Sequence, residues 1–152
     1  MLYKRILVPL DGSETARHGL REAIALAKDQ KATLRLLHVI SEFPALAEVS
    51  GVENFEQVRK SLFECGEAVL RQAQSLSGGL GVETETQLRE LAGGRVADAI
   101  VQEAREAGCD LIVIGTHGRR GLSRMLLGSD AERVLRQSPV PVLLVREPRK
   151  EA

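Results

Sequence analysis

The chain has 152 residues, 43% hydrophobic and 28% charged, which suits one globular domain with its own core and excludes a disordered tail or a membrane protein. Lys plus Arg and Asp plus Glu number 21 each, so no net charge draws the chain to nucleic acid or to anionic lipid. With 3% aromatic residues and no Trp, a base-stacking platform is excluded as well. Cys65 and Cys109 are too few for a disulfide framework and read as buried thiols of a reducing compartment. The N-terminal apolar run is too short for a signal peptide, and no run approaches the ~18 residues of a membrane span. The expected location is the cytoplasm.

Ile6 to Leu10 is a short apolar run of the kind buried on both faces of a parallel sheet. Asp11-Gly12-Ser13-Glu14 stops it. Asp11 with Glu14 fits a capping box, and Ser13 is a second candidate N-cap. Ala16, Leu20, Ala23, Ile24 and Ala27 then recur at helical spacing. Leu34 to Ile40 is the next strand, and Ser41 to Asn54 a longer connection with Pro44 and Gly51. The second helix carries Phe55, Val58, Leu62, Cys65, Val69, Ala73 and Leu76 on one face, and Ser77-Gly78-Gly79-Leu80-Gly81 breaks it. Val82 to Leu88 alternates loosely, and its charges suit an edge strand. Gly93-Gly94 opens a helix with Ala97, Ile100, Val101 and Ala104 on one face, ended by Ala107-Gly108. Leu111 to Ile114 is the most strand-like segment. Ser129 with Glu132 forms a second capping box for a short helix, Pro139 ends that helix, and Val140 to Val145 is the last strand.

Five strands alternating with four helices predict an α/β fold, a parallel sheet with helices on both faces. Right-handed crossovers leave few topologies, and ligands bind beyond the carboxyl ends of the strands where the strand order reverses. With that reversal between the first and fourth strands, the loops 11–13 and 115–129 face each other.

The stretch from Gly115 to Ser129 carries the chemistry. It follows a buried strand and ends at a helix start, where amides converge and the helix dipole favours an anion. Gly115, Gly118 and Gly128 allow a close backbone approach and conformations closed to other residues. Arg119, Arg120 and Arg124 add positive charge, with no carboxylate before Asp130. This is a polyphosphate cradle, or else a Gly-rich surface loop with a capped helix behind it. Walker spacing is absent, and no G-x-G-x-x-G follows the first strand. His38 reads as a hydrogen-bonded core residue and His18 as part of an exposed helix face. His117 reads equally as a phosphate or ribose contact and as a turn residue. No metal-ligand spacing and no nucleophile–base pair is visible.

Gly115-x-x-Gly118, nine further residues, then Gly128-Ser129 resembles the G-2x-G-9x-G-[ST] signature of the nucleotide-binding universal stress proteins. The segments 6–13, 37–39, 110–119 and 138–145 resemble that family's first, second, fourth and fifth strands with their loops. The resemblance implies one domain over residues 1–147 with a short polar tail, 148–152. It implies a Rossmann-like, adenine nucleotide alpha hydrolase-like α/β fold with strand order 3-2-1-4-5. It further implies an ATP-binding regulator of the stress response, a homodimer through Val140 to Val145, and a protein partner of unknown identity. By resemblance, Pro9, Leu10, Asp11, Val39, Gly115, Thr116, His117, Gly118, Arg119, Gly128, Ser129 and Asp130 form the nucleotide site. Val39 main-chain groups hold adenine, and Asp11 lies by the nucleoside or a Mg²⁺ ion. Asp130 departs from the small or aliphatic residue usual at its position. Its carboxylate opposes a phosphate unless Mg²⁺ intervenes. A slow ATPase or phosphoryl-transfer enzyme using the same site is the second reading, and a structural dimer that binds no nucleotide the third.

Overall fold

The apolar runs alternate in the manner of strands covered on both faces. Ile6 and Val8 face one way with Leu34, Leu36, Leu111 and Val113, while Leu7 faces the other way with Leu37, Ile112 and Ile114. The computed structural model describes residues 2–41, 55–116 and 127–147. Its elements are β1 (Arg5–Pro9), α1 (Glu14–Gln30), β2 (Thr33–Ile40), α2 (Phe55–Gly79), β3 (Thr84–Glu90), α3 (Val96–Glu106), β4 (Leu111–Gly115), α4 (Ser129–Gln137) and β5 (Val142–Val145). All strands pair in parallel, in the order β3-β2-β1-β4-β5. β1 lies at the centre, and Ile6, Leu7 and Val8 are fully buried. α1 and α2 cover the first face with Leu20, Ala23, Ile24, Ala27, Leu70 and Ala73. α3 and α4 cover the second with Ala97, Ile100, Ala104, Ala131 and Val134. Among the described residues no helix is long and apolar enough to cross a membrane.

Several local expectations are corrected. Ser13, not Asp11, caps α1. Its Oγ accepts from the Ala16 N–H at 3.1 Å, while Asp11 Oδ1 accepts from the Ser13 N–H at 2.9 Å and shapes the turn before the helix. His18 is half-buried rather than exposed. α2 buries Gly66, Leu70, Ala73 and Ser77, whereas Cys65 is exposed and Leu76 is 43% exposed. The buried stripe contains a glycine and a serine, so hydrophobicity alone places it a residue off. A Cβ at Gly66 would fall 2.7 Å from both His38 Cδ2 and Leu88 Cδ1, so the helix backbone lies directly on the sheet there. Ser77 satisfies its hydroxyl by donating to the Ala73 carbonyl at 2.8 Å, and α2 continues through Gly78 and Gly79. β3 runs two residues beyond Leu88, and β5 starts at Val142 rather than Val140.

The β2–β3 half of the second face is held by charge. Glu103 of α3 is almost fully buried. Its carboxylate accepts from Arg35 Nη2 at 3.0 Å and from Arg89 Nε at 2.7 Å. Glu85 joins the cluster to Arg35 Nη1 at 3.0 Å and to Arg5 Nη2 at 2.7 Å. Burial disfavours the charged Arg35 and Arg89, but hydrogen bonds to Glu103 and Glu85 from Arg35, and to Glu103 and Glu106 from Arg89, outweigh it and raise both pKa values.

Candidate functional site

β1 ends at Pro9, opposite Leu37, but β2 continues to Ile40 with only β3 beside it. The ladder alternates along β2. The Thr33 N–H donates to the Lys4 carbonyl on the β1 side, and the Leu37 carbonyl accepts from the Leu10 N–H on that side. The Leu34 N–H and the Ile40 carbonyl face β3. Val39 shares the orientation of Thr33 and Leu37, so its N–H and C=O point into the space beyond the end of β1. A donor and an acceptor one residue wide are thereby offered to a planar, edge-on partner.

That space is a pocket of about 560 Å³. It is lined by Pro9 at the end of β1 with Leu10 and Asp11 after it, by His38 and Val39 of β2, and by Gly115 and Thr116 at the end of β4. Gly128, Ser129, Asp130 and Ala131 line it from the start of α4. Leu10 is tied on both sides. Its N–H donates to the Leu37 carbonyl at 2.7 Å, and its carbonyl is 2.8 Å from His38 Nδ1. A carbonyl only accepts, so Nδ1 carries the proton and His38 is the hydrogen-bonded core histidine that was expected.

The α4 N-terminus faces the pocket. The Glu132 N–H donates to the Gly128 carbonyl, the first bond of the helix, so the amides of Ser129, Asp130 and Ala131 have no intrahelical acceptor. The N-cap is Gly128, with no side-chain hydrogen bond, and the expected Ser129–Glu132 capping box is not formed. The Gly128 N–H instead donates to the Thr116 carbonyl, which joins the two described ends of the Gly-rich stretch. Thr116 is 4% exposed, its N–H donates to Val145, and its Oγ1 has no hydrogen-bond partner among the described residues. His117, Gly118 and Arg119, with Arg120 and Arg124, lie outside the described residues.

Gly115 is in the pocket wall for a different reason from the expected one. A Cβ there would meet the Thr15 carbonyl oxygen at 2.7 Å and Thr15 Cγ2 at 2.6 Å, so its smoothness serves the docking of α1 on β4. Gly128 has φ −58°, and neither residue takes the left-handed conformation that was expected. Gly12, beside Asp11, does, at φ +84°. Asp130 loses part of its hydration and faces the field of Asp11, and both raise its pKa above the ordinary carboxylate value. Asp11 and Asp130 are the carboxylates of the pocket that would hold a divalent ion. No cluster of three or more metal-ligating side chains exists among the described residues.

Residues of the pocket that sequence reasoning missed include Leu62, Cys65 and Val69 of α2 and Val96 and Ile100 of α3. The α2 trio does stand at helical spacing. Its stripe was assigned to the core, and only the true burial of Gly66 and Leu70 shows that it turns toward the pocket.

The family model for the universal stress protein family matches residues 2–146. The chain belongs to the universal stress protein family. A curated relative, universal stress protein MJ0531 of Methanocaldococcus jannaschii, is 36% identical over 99% of this chain and 86% of its own length. The solved structure of MJ0577 from the same organism superposes with a TM-score of 0.85 at 30% identity, over 99% of this chain and 100% of that one. The universal stress protein of Archaeoglobus fulgidus, solved in complex with dAMP, gives a TM-score of 0.63 at 25% identity, over 95% of this chain and 98% of that one.

Proposed function

We propose that this universal stress protein binds ATP in the pocket and acts as a nucleotide-dependent regulator rather than as an enzyme. The observation that carries the reading is the pairing of two recognition ends in one cavity. The outward main chain of Val39 fits the adenine edge, and the free amides of Ser129, Asp130 and Ala131 fit the phosphates. Asp11 lines the same pocket, and the family resemblance assigns it to the nucleoside or its metal. The dAMP bound by the Archaeoglobus fulgidus relative supports the adenine nucleotide class. His117, Gly118 and Arg119 are assigned to ribose and phosphate by the family signature alone.

Mg²⁺ carried on the phosphates would be held by Asp11 and Asp130, and would neutralise their repulsion of the triphosphate. In a cytoplasmic homodimer joined through β5, nucleotide occupancy would be read by a protein partner.

Calorimetry on dialysed protein with MgATP tests the reading. Saturable binding with no steady-state phosphate release is expected. Absence of binding contradicts the site, and sustained phosphate release makes the protein an ATPase instead.

A further inference from the structure

A parallel ladder repeats in a fixed order of bonds. With Pro9 opposite Leu37, the Leu10 N–H donates to the Leu37 carbonyl at 2.7 Å, and the next bond in the series runs from the Val39 N–H to the Leu10 carbonyl. Between these two described residues that bond is not formed. β1 ends at Pro9, and the Leu10 carbonyl meets a side chain instead, His38 Nδ1 at 2.8 Å. His38 is 7% exposed, and α2 holds its ring from the other side. A Cβ at Gly66 would fall 2.7 Å from His38 Cδ2 and 3.3 Å from Nε2, so the helix backbone closes on the imidazole and keeps Nδ1 on the carbonyl. Leu10, His38 and Val39 all line the pocket.

We propose that His38 is a positioning residue for base recognition: by taking the Leu10 carbonyl it stops the β1–β2 ladder one bond early and leaves the Val39 N–H open to a ring nitrogen of the base. The inference rests on the nucleotide reading above. The imidazole and the Val39 N–H are rival donors for one acceptor. While the imidazole holds that acceptor, the carbonyl is satisfied and the Val39 amide faces the cavity. Without the imidazole the carbonyl is left unpaired beside a ladder donor. It turns to the Val39 N–H, β1 zips one bond further, and the donor meant for the base is consumed. His38 thus acts on the ligand through Val39 and need not touch it.

The test is calorimetry of the full chain with the Mg²⁺ complexes of ATP, 1-deaza-ATP and 7-deaza-ATP. Adenine carries an acceptor nitrogen beside its amino group on each of two edges, N1 on one and N7 on the other, and each analogue replaces one of them by C–H. The unaltered protein should bind one analogue roughly three- to tenfold more weakly than ATP, the worth of one hydrogen bond. His38→Leu, which fills similar space without a donor, should bind ATP as weakly as that analogue and no longer tell the two apart. His38→Asn should restore the discrimination, because its Nδ2 is bonded to Cγ as Nδ1 is and reaches the same carbonyl. Amide hydrogen exchange on the unaltered protein adds an arm that needs no variant to fold. The Val39 N–H should exchange faster than the Leu10 N–H and slow down when MgATP is added. If the protein binds ATP but neither analogue more weakly, or His38→Leu keeps the discrimination, or the Val39 N–H is as protected as the Leu10 N–H before MgATP and unchanged by it, the role of His38 is overturned while the nucleotide site stands. If the unaltered protein binds no ATP, both fall together.

Discussion

Gly128 and Gly115 belong to one sequence signature and do different physical work. Gly128 sits at φ −58°, where any residue fits, and it is the N-cap of α4, where Asp is a favoured residue. Gly128→Asp is therefore expected to keep the melting temperature and to lose ATP binding, because the new carboxylate meets the phosphates. Calorimetry and a thermal melt on one sample check both halves. Gly115→Ala should do the reverse damage first, costing about 1–3 kcal/mol of stability because its Cβ runs into the Thr15 backbone. Urea denaturation measures it. Asp130 is the residue where pH enters. Its folded-state pKa lies above the unfolded value, so its ionised form is disfavoured in the fold, and its contribution to stability is lost as pH rises through the range just above the ordinary carboxylate pKa. Asp130→Asn should remove that pH dependence and tighten Mg²⁺-free ATP binding roughly two- to fivefold, a gain that shrinks when Mg²⁺ is added. Titrations with and without Mg²⁺ check it. At this scale the sequence singled out a stretch whose described ends, Gly115 and Thr116 with Gly128 to Asp130, line the pocket, because glycine spacing before a Ser at a helix start is a local signal. It did not separate the glycine that clears a helix from the one that faces the pocket, since Thr15 lies a hundred residues earlier in the chain.

Among elements, β1 and β4 were legible because Ile6 to Val8 and Leu111 to Ile114 are unbroken apolar runs, β2 because Leu34, Leu36, Leu37, Val39 and Ile40 outweigh Arg35 and His38, and α1 because Leu20, Ala23, Ile24 and Ala27 keep one face. α2 was legible as a helix but not in its facing. Gly66 packs by being small and Ser77 by bonding to its own helix, and neither counts in a hydrophobic pattern. Arg35 was equally opaque. A charge inside an apolar strand makes sense only with Glu103, which comes from a helix three elements later. Glu103→Ala would leave the Arg35 and Arg89 guanidiniums partly buried without their shared carboxylate. A loss of about 3–5 kcal/mol is expected in urea denaturation. Glu103→Gln should recover part of it, because the amide oxygen still accepts from one arginine.

For the whole molecule, strand order puts the pocket where it is. The chain leaves β1 toward one neighbour and returns through β4 on the other side, so the ends of β1 and β4 part and leave a crevice at their carboxyl ends. Alternation of strands and helices predicted such a crevice, and the order itself came from the family resemblance. β5 ends the sheet with Leu143 38% exposed and one edge of its backbone unpaired by any described strand. A dimer through that edge is expected by light scattering at micromolar concentration. Leu143→Lys should yield monomers that still bind ATP, since β5 contributes no residue to the pocket.

The most direct measurement is a crystal structure grown with MgATP. The triphosphate should lie on the amides of Ser129 and Asp130, with adenine against the main chain of Val39. A nucleotide bound elsewhere on the chain, or none at concentrations that saturate binding in solution, would contradict the account.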